Sequence, residues 1–250
     1  MKALELFAGI GGIALAEQMA GIEVVGLSEI EDYPVKVLKK NFPNVPILKD
    51  VRKINKESLK EVDIDADTID IVSGGFPCQP FSVAGKQRGT SDDRDLRPEM
   101  FRIIQEIRPN WIVGENVANF ANMELDRTLS NLESESYETR TFVLPACGVD
   151  AKHKRVRTFI VANANSDRRL ASGKVKFQKF EKKQSKWQFG SANCTPARWF
   201  SEPRVGRVAN GVPDRMDRLK CLGNAVVPEQ ILPIFKAIVA IEGESKIEEH

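Results

Sequence analysis

Short apolar runs alternate along the chain with longer stretches in which apolar positions recur every three or four residues. The first pattern reads as buried strands and the second as amphipathic helices. Residues 2–7 form a first strand that runs into the glycine turn Ala8-Gly9-Ile10-Gly11-Gly12. Residues 13–20 read as a helix, closed by Gly21. A second strand at 23–28 and a helix at 32–42 follow, with Val35 and Leu38 on one face, then a third strand at 47–51. A fourth strand, 69–73, is broken by Gly74, Gly75, Pro77 and Pro80. The pattern predicts a helix at 97–107, a fifth strand at 110–114, a helix at 120–134, and strands at 139–144 and 158–162. Residues 206–219 carry turn signals, 231–241 an apolar helix, and 243–250 a charged, frayed tail. Strands alternating with helices predict an α/β fold with a doubly wound, mostly parallel sheet.

Composition narrows the class. A chain of 250 residues suits one large domain, with or without a small insert. The cysteines Cys78, Cys147, Cys194 and Cys221 show no CxxC or Cys/His spacing, which argues against a zinc site and a disulfide framework, and no metal is expected. Cys147 reads as structural. No signal-peptide pattern opens the chain and no apolar run suggests a membrane span, so a cytoplasmic protein with no membrane partner is expected. Net charge is only +2, but its distribution is uneven. Residues 165–205 hold ten Lys or Arg against three acids, a local charge of +7 that leaves −5 on the remainder. A basic insert on a mildly acidic body suits a polyanionic partner.

The candidate chemistry lies at strand ends, where open α/β sheets bind ligands. The glycines after the first strand let backbone approach a ligand at a helix amino terminus. Glu29 ends the second strand and Asp50 the third, placing two carboxylates where ribose hydroxyls and an adenine amino group could donate to them. Gly9-x-Gly11-x-x-Ala14 with Glu29 also fits a dinucleotide fingerprint, so a nicotinamide or flavin enzyme is open at this point. After the fourth strand, Cys78 is presented between Pro77 and Gln79 in a stiff, polar loop. Glu115 ends the fifth strand on the same edge as an acid/base candidate. Arg155 and Arg157, two residues apart near a strand, are expected on one face.

Gly75-Phe76-Pro77-Cys78-Gln79-Pro80-Phe81-Ser82 resembles the nucleophile motif of the DNA (cytosine-5) methyltransferases. Glu5-Leu6-Phe7-Ala8-Gly9-Ile10-Gly11-Gly12 is similar to that family's S-adenosylmethionine turn, with Glu5 where the family usually has Asp. Glu115-Asn116-Val117 resembles its second catalytic motif. His153-Lys154-Arg155-Val156-Arg157 resembles Gln-x-Arg-x-Arg with His153 in the Gln position, and Gly223-Asn224-Ala225-Val226-Val227-Pro228 is similar to the last motif.

The resemblance implies the Rossmann-like fold of S-adenosylmethionine-dependent methyltransferases with a small inserted recognition region. Residues 1–164 would form the catalytic and cofactor-binding domain, 165–205 the target-recognition insert, and 206–242 the return to the catalytic domain. It implies S-adenosylmethionine as cofactor, S-adenosylhomocysteine as product, and a pocket of Phe7, Ala8, Gly9, Gly11, Gly12, Glu29, Ile30, Asp50, Val51, Leu96, Asn224 and Ala225. Cys78 would add to carbon 6 of a flipped-out cytosine, Glu115 would neutralise nitrogen 3, and Arg155, with Arg157 beside it, would hold the ring oxygen. Gln79, Ser82, Lys86, Arg88, Arg168, Arg169, Lys182, Lys183 and Lys186 would contact double-stranded DNA. A cognate restriction nuclease is a further candidate partner, and a monomer is expected. An RNA cytosine-5 methyltransferase and a catalytically silent DNA-binding relative are the alternatives.

Overall fold

A computed structural model of the chain describes residues 1–75, 96–118, 124–164 and 213–247. Strands β1 (Lys2–Leu6), β2 (Glu23–Ser28), β3 (Ile47–Leu48), β4 (Ile71–Gly74), β5 (Trp111–Val117), β6 (Tyr137–Leu144) and β7 (Arg157–Ala164) form one sheet. Its order is β3-β2-β1-β4-β5-β7-β6. The first five strands pair in parallel, while β7 runs antiparallel to both β5 and β6. The expected doubly wound, mostly parallel sheet is the one observed. Reversal of sequence order on either side of β1 opens the crevice in which such sheets bind ligands.

Period-two alternation sorts the strand residues between two cores. Leu4, Leu6, Val72, Ile112 and Ile160 point to one face. There they meet α3 (Lys56–Lys60), α4 (Arg97–Ile107) and α5 (Leu125–Ser134) through Leu59, Ile103, Ile104, Ile107 and Leu132. Ala3, Ile71, Trp111, Val113, Phe159 and Val161 point to the other face. They meet α1 (Gly12–Met19) and the last helix, α7 (Pro228–Ile247), through Ile13, Ala16, Ile231, Ile234, Phe235 and Ile238. Helix α2 (Asp32–Asn41) buries Val35 and Leu38, and Leu38 packs with Ala14, Val24 and Leu27. Full burial of each such side chain contributes about 1.5–3 kcal/mol.

Several elements differ from the pattern-based expectation. The third strand is only Ile47–Leu48, because Asp50 caps a 3₁₀ turn at Val51–Lys53 by accepting from the Arg52 amide at 3.1 Å. The turn-rich stretch before the last motif contains a helix, α6 (Arg215–Asn224), which buries Cys221. Cys147, expected to be structural, is exposed in the 3₁₀ turn Ala146–Val149. The stretch Arg215–Gly243 has the length and hydropathy of a membrane span, with a mean hydropathy of 1.4 in its most apolar window. The sequence reading did not anticipate this. Extended backbone at Ala225 divides that stretch into α6 and α7. The Ile231, Ile234, Phe235 and Ile238 face is buried on the sheet, as in a core helix.

Candidate active site at the strand ends

The turn after β1 is built by three glycines with distinct duties. Gly9 and Gly11 take φ of +55° and +85°, a left-handed region that costs other residues energy. Phe7 shares that region at φ +55°. Among the described residues, a Cβ on Gly9 would meet nothing within 4 Å, so they leave the space above the turn open. A Cβ on Gly12 would stand 2.6 Å from the Val226 carbonyl, so only glycine lets the segment between α6 and α7 come this close.

Two carboxylates organise the turn. Glu29 Oε2 accepts from the Gly9 amide at 2.8 Å, and its Oε1 accepts from the Glu31 amide at 2.8 Å. Partial burial raises its pKa, and those amide bonds oppose the rise. Glu5 lies beneath the turn, fully buried, with Oε2 accepting from the Ala14 amide at 3.0 Å in the first turn of α1. Burial, and then the charge of Glu17, push its pKa well above the usual carboxylate range. Glu17, on α1, is also fully buried, and neither carboxyl oxygen has a hydrogen-bond partner among the described residues. Burial raises its pKa to about 7; the neighbouring Ser73 hydroxyl, which lies outside hydrogen-bonding geometry, opposes the shift. Sequence reasoning missed Glu17, and its place on the buried face of α1, one turn after Ile13, was the available signal.

Ile30 is 56% exposed at the end of β2, open to a ligand on the turn. Asp50 is less available than expected, because it chelates Arg52: Nε donates to Oδ1 and Nη2 to Oδ2, each at 2.9 Å. Val51 is buried, and Leu96 packs against the core at the start of α4. Asn224 is exposed and Ala225 half-buried where α6 turns into α7.

Glu115 lies on the face of β5 that also carries Trp111 and Val113. Its side chain meets Arg157 on β7, Nε to Oε1 at 2.8 Å. Glu115 is 8% exposed; burial raises its pKa, and Arg157 and then Arg155 oppose the rise. The β4 end comes close to this pair. A Cβ on Gly74 would stand 2.5 Å from the Leu6 carbonyl, and one on Gly75 3.0 Å from Glu115 Oε2. The Gly74-Gly75 pair therefore lets the end of β4 pass close to Glu115; Cys78 follows three residues on in the sequence. Cys78, Gln79, Ser82, Lys86, Arg88, Arg168, Arg169, Lys182, Lys183 and Lys186 lie outside the described residues.

The expectation that Arg155 and Arg157 share a face is corrected. β7 begins at Arg157, and Arg155 precedes it with φ +27°, so strand alternation does not reach it. Arg157 faces Glu115, whereas Arg155 Nη2 donates to the Gly223 carbonyl at 2.8 Å and to the Ala225 carbonyl. His153 is exposed beside them. A cavity of about 240 Å³ lies between α4, α5 and the sheet, lined by Met100, Phe101, Ile104, Ile112, Gly114 and Leu132 among others.

An open glycine turn with a carboxylate on its backbone fits a ligand bearing hydroxyl groups. A buried acid and guanidinium at the neighbouring strand end fit proton transfer to a polar ring. Residues 1–199 match the family model described as C-5 cytosine-specific DNA methylase. The chain is 37% identical over 179 residues to the type II methyltransferase M.Eco47II of Escherichia coli, covering 68% of this chain and 40% of that one. It is 32% identical over 170 residues to M.HhaI of Haemophilus parahaemolyticus, covering 66% and 50%. The chain thus spans about half the length of the curated relatives it matches. A DNMT2 variant structure from Spodoptera frugiperda is similar with a TM-score of 0.54 and 26% identity, over 66% of this chain and 50% of the other.

Proposed function

Because the chain belongs to the C-5 cytosine-specific DNA methylase family, we propose that it methylates carbon 5 of cytosine in double-stranded DNA. The observation that carries this reading is the buried Glu115–Arg157 pair beside Gly75, on the strand edge that leads into Pro77-Cys78-Gln79.

Carbon 5 of cytosine is a weak nucleophile until something adds at carbon 6. Cys78, as thiolate, forms that bond, and the electron pair of the 5,6 double bond moves into the ring toward nitrogen 3. Glu115 supplies the proton there. Its raised pKa favours the protonated form that such a step needs. Arg157 stays paired with Glu115 and takes the role first expected of Arg155, donating toward the ring oxygen. When bound, S-adenosylmethionine supplies the methyl group as an electrophile, which carbon 5 takes. Loss of the carbon 5 proton to solvent, return of the nitrogen 3 proton to Glu115 and expulsion of Cys78 then restore the double bond. The Phe7–Gly12 turn and Glu29 would hold the cofactor, with Ile30, Val51, Leu96, Asn224 and Ala225 as further pocket residues. Support for that placement is the open space over Gly9 and the exposure of Ile30. Asp50 serves the adenine only through lone pairs left by Arg52.

The target carbon is inaccessible in a stacked duplex, so the base must be flipped out at a cost of a few kcal/mol. Residues 165–205, with Lys86 and Arg88, are proposed to offset that cost through phosphate contacts. A restriction nuclease partner and a monomeric state belong to the same proposal.

Incubation with methyl-labelled S-adenosylmethionine and either duplex DNA or RNA tests it. Label in DNA and not in RNA supports the proposal. Label confined to RNA, or tight DNA binding without label, replaces it with one of the two alternatives.

A further inference from the structure

Arg155 makes a set of contacts that catalysis on the ring does not require. Its Nη2 reaches the carbonyls of Gly223 and Ala225, at the carboxyl end of α6. Such carbonyls lack partners within the helix and lie at the negative end of its dipole, so a guanidinium is well matched to them. Its own carbonyl is held in return. Gln230, buried in the first turn of α7, donates from Nε2 to the Arg155 carbonyl at 3.0 Å and to the Leu144 carbonyl at 2.6 Å. Between these two anchors lies Val226, whose carbonyl abuts Gly12 of the glycine turn. Arg155 also holds φ +27°, a conformation that persists in a non-glycine residue where surrounding bonds fix it.

We propose that Arg155 is a positioning residue that latches the α6–α7 elbow to the start of β7. The latch fixes the wall of the glycine turn and thereby couples cofactor affinity to the strand that carries Arg157. The coupling to cofactor rests on the reading that this turn holds S-adenosylmethionine; the latch itself does not.

The test compares wild type with Arg155→Ala, Arg155→Lys and Gln230→Ala by two measurements. Calorimetric titration reads S-adenosylmethionine affinity, and amide hydrogen exchange reads residues 225–227 without any ligand. Arg155→Ala is expected to weaken affinity roughly tenfold, as loss of charge-assisted hydrogen bonds would, and to speed exchange at the elbow. Gln230→Ala should give the same signature from the other side, and Arg155→Lys should recover part of the loss. In turnover, Arg155→Ala should raise KM for the cofactor more than it lowers kcat, and Arg157→Ala should do the reverse. Unchanged elbow exchange in both Arg155→Ala and Gln230→Ala overturns the latch. Faster exchange with affinity within twofold of wild type overturns the coupling. If wild type binds no S-adenosylmethionine, the assignment of the turn fails, and exchange alone decides the latch.

Discussion

Glu115 and Glu17 are both buried carboxyls with raised pKa values, and they differ in what answers the burial. Glu115 has Arg157 against it and faces the strand edge. Glu115→Gln should lower the methyl-transfer rate by about 10²–10⁴-fold, with cofactor affinity within twofold of wild type, measured in single turnovers. Glu17 has no such partner among the described residues. Its pKa rises from 4.5 to about 7 on folding, so between those values the unfolded chain releases a proton that the folded chain keeps. Its contribution to stability therefore falls as pH rises through that window, by about 3 kcal/mol. Glu17→Met should raise the thermal midpoint at pH 8 far more than at pH 5; an equal shift at both would contradict the assignment. Sequence alone named Glu115 through its strand end and its motif. It misjudged the arginine pair, because spacing of two implies one face only inside a strand, and Arg155 stands before β7 begins.

Strands and helices were legible wherever the apolar period was long, as in α1, α2, α4 and the buried part of α7. They were less so where local hydrogen bonding competes with the period. The Asp50 carboxylate ends β3 by capping a 3₁₀ turn, and α6 lies among the glycine, proline and asparagine signals that read as turns. The approach of the α6–α7 elbow to the glycine turn was not legible, since it depends on packing between segments more than two hundred residues apart in sequence. It makes Gly12→Ala informative: the new Cβ collides with backbone, not with a movable side chain. The substitution should cost about 1–3 kcal/mol in denaturant unfolding and weaken cofactor binding as well. A neutral effect on both would contradict the close approach.

At the scale of the molecule, charge is divided between a mildly acidic body and the +7 segment at 165–205. If that segment tracks phosphates, replacing Lys182, Lys183 and Lys186 with Gln should weaken DNA binding across all sequences. It should also reduce the slope of log affinity against log salt by about one for each lysine in contact. An unchanged slope would remove these residues from the interface. On the proposed reading, the sheet order and the glycine turn would let one edge hold a methyl donor and a target ring side by side. The central claim is that Cys78 bonds to carbon 6 of a cytosine while carbon 5 is methylated. The most direct test uses duplex DNA with fluorine at carbon 5 of its cytosines, where no proton is available to leave after methyl transfer and the adduct persists. The account predicts a denaturation-resistant protein–DNA complex that requires S-adenosylmethionine and is absent with Cys78→Ala. A complex that still forms with Cys78→Ala, or methyl transfer at full rate in that variant, would contradict it.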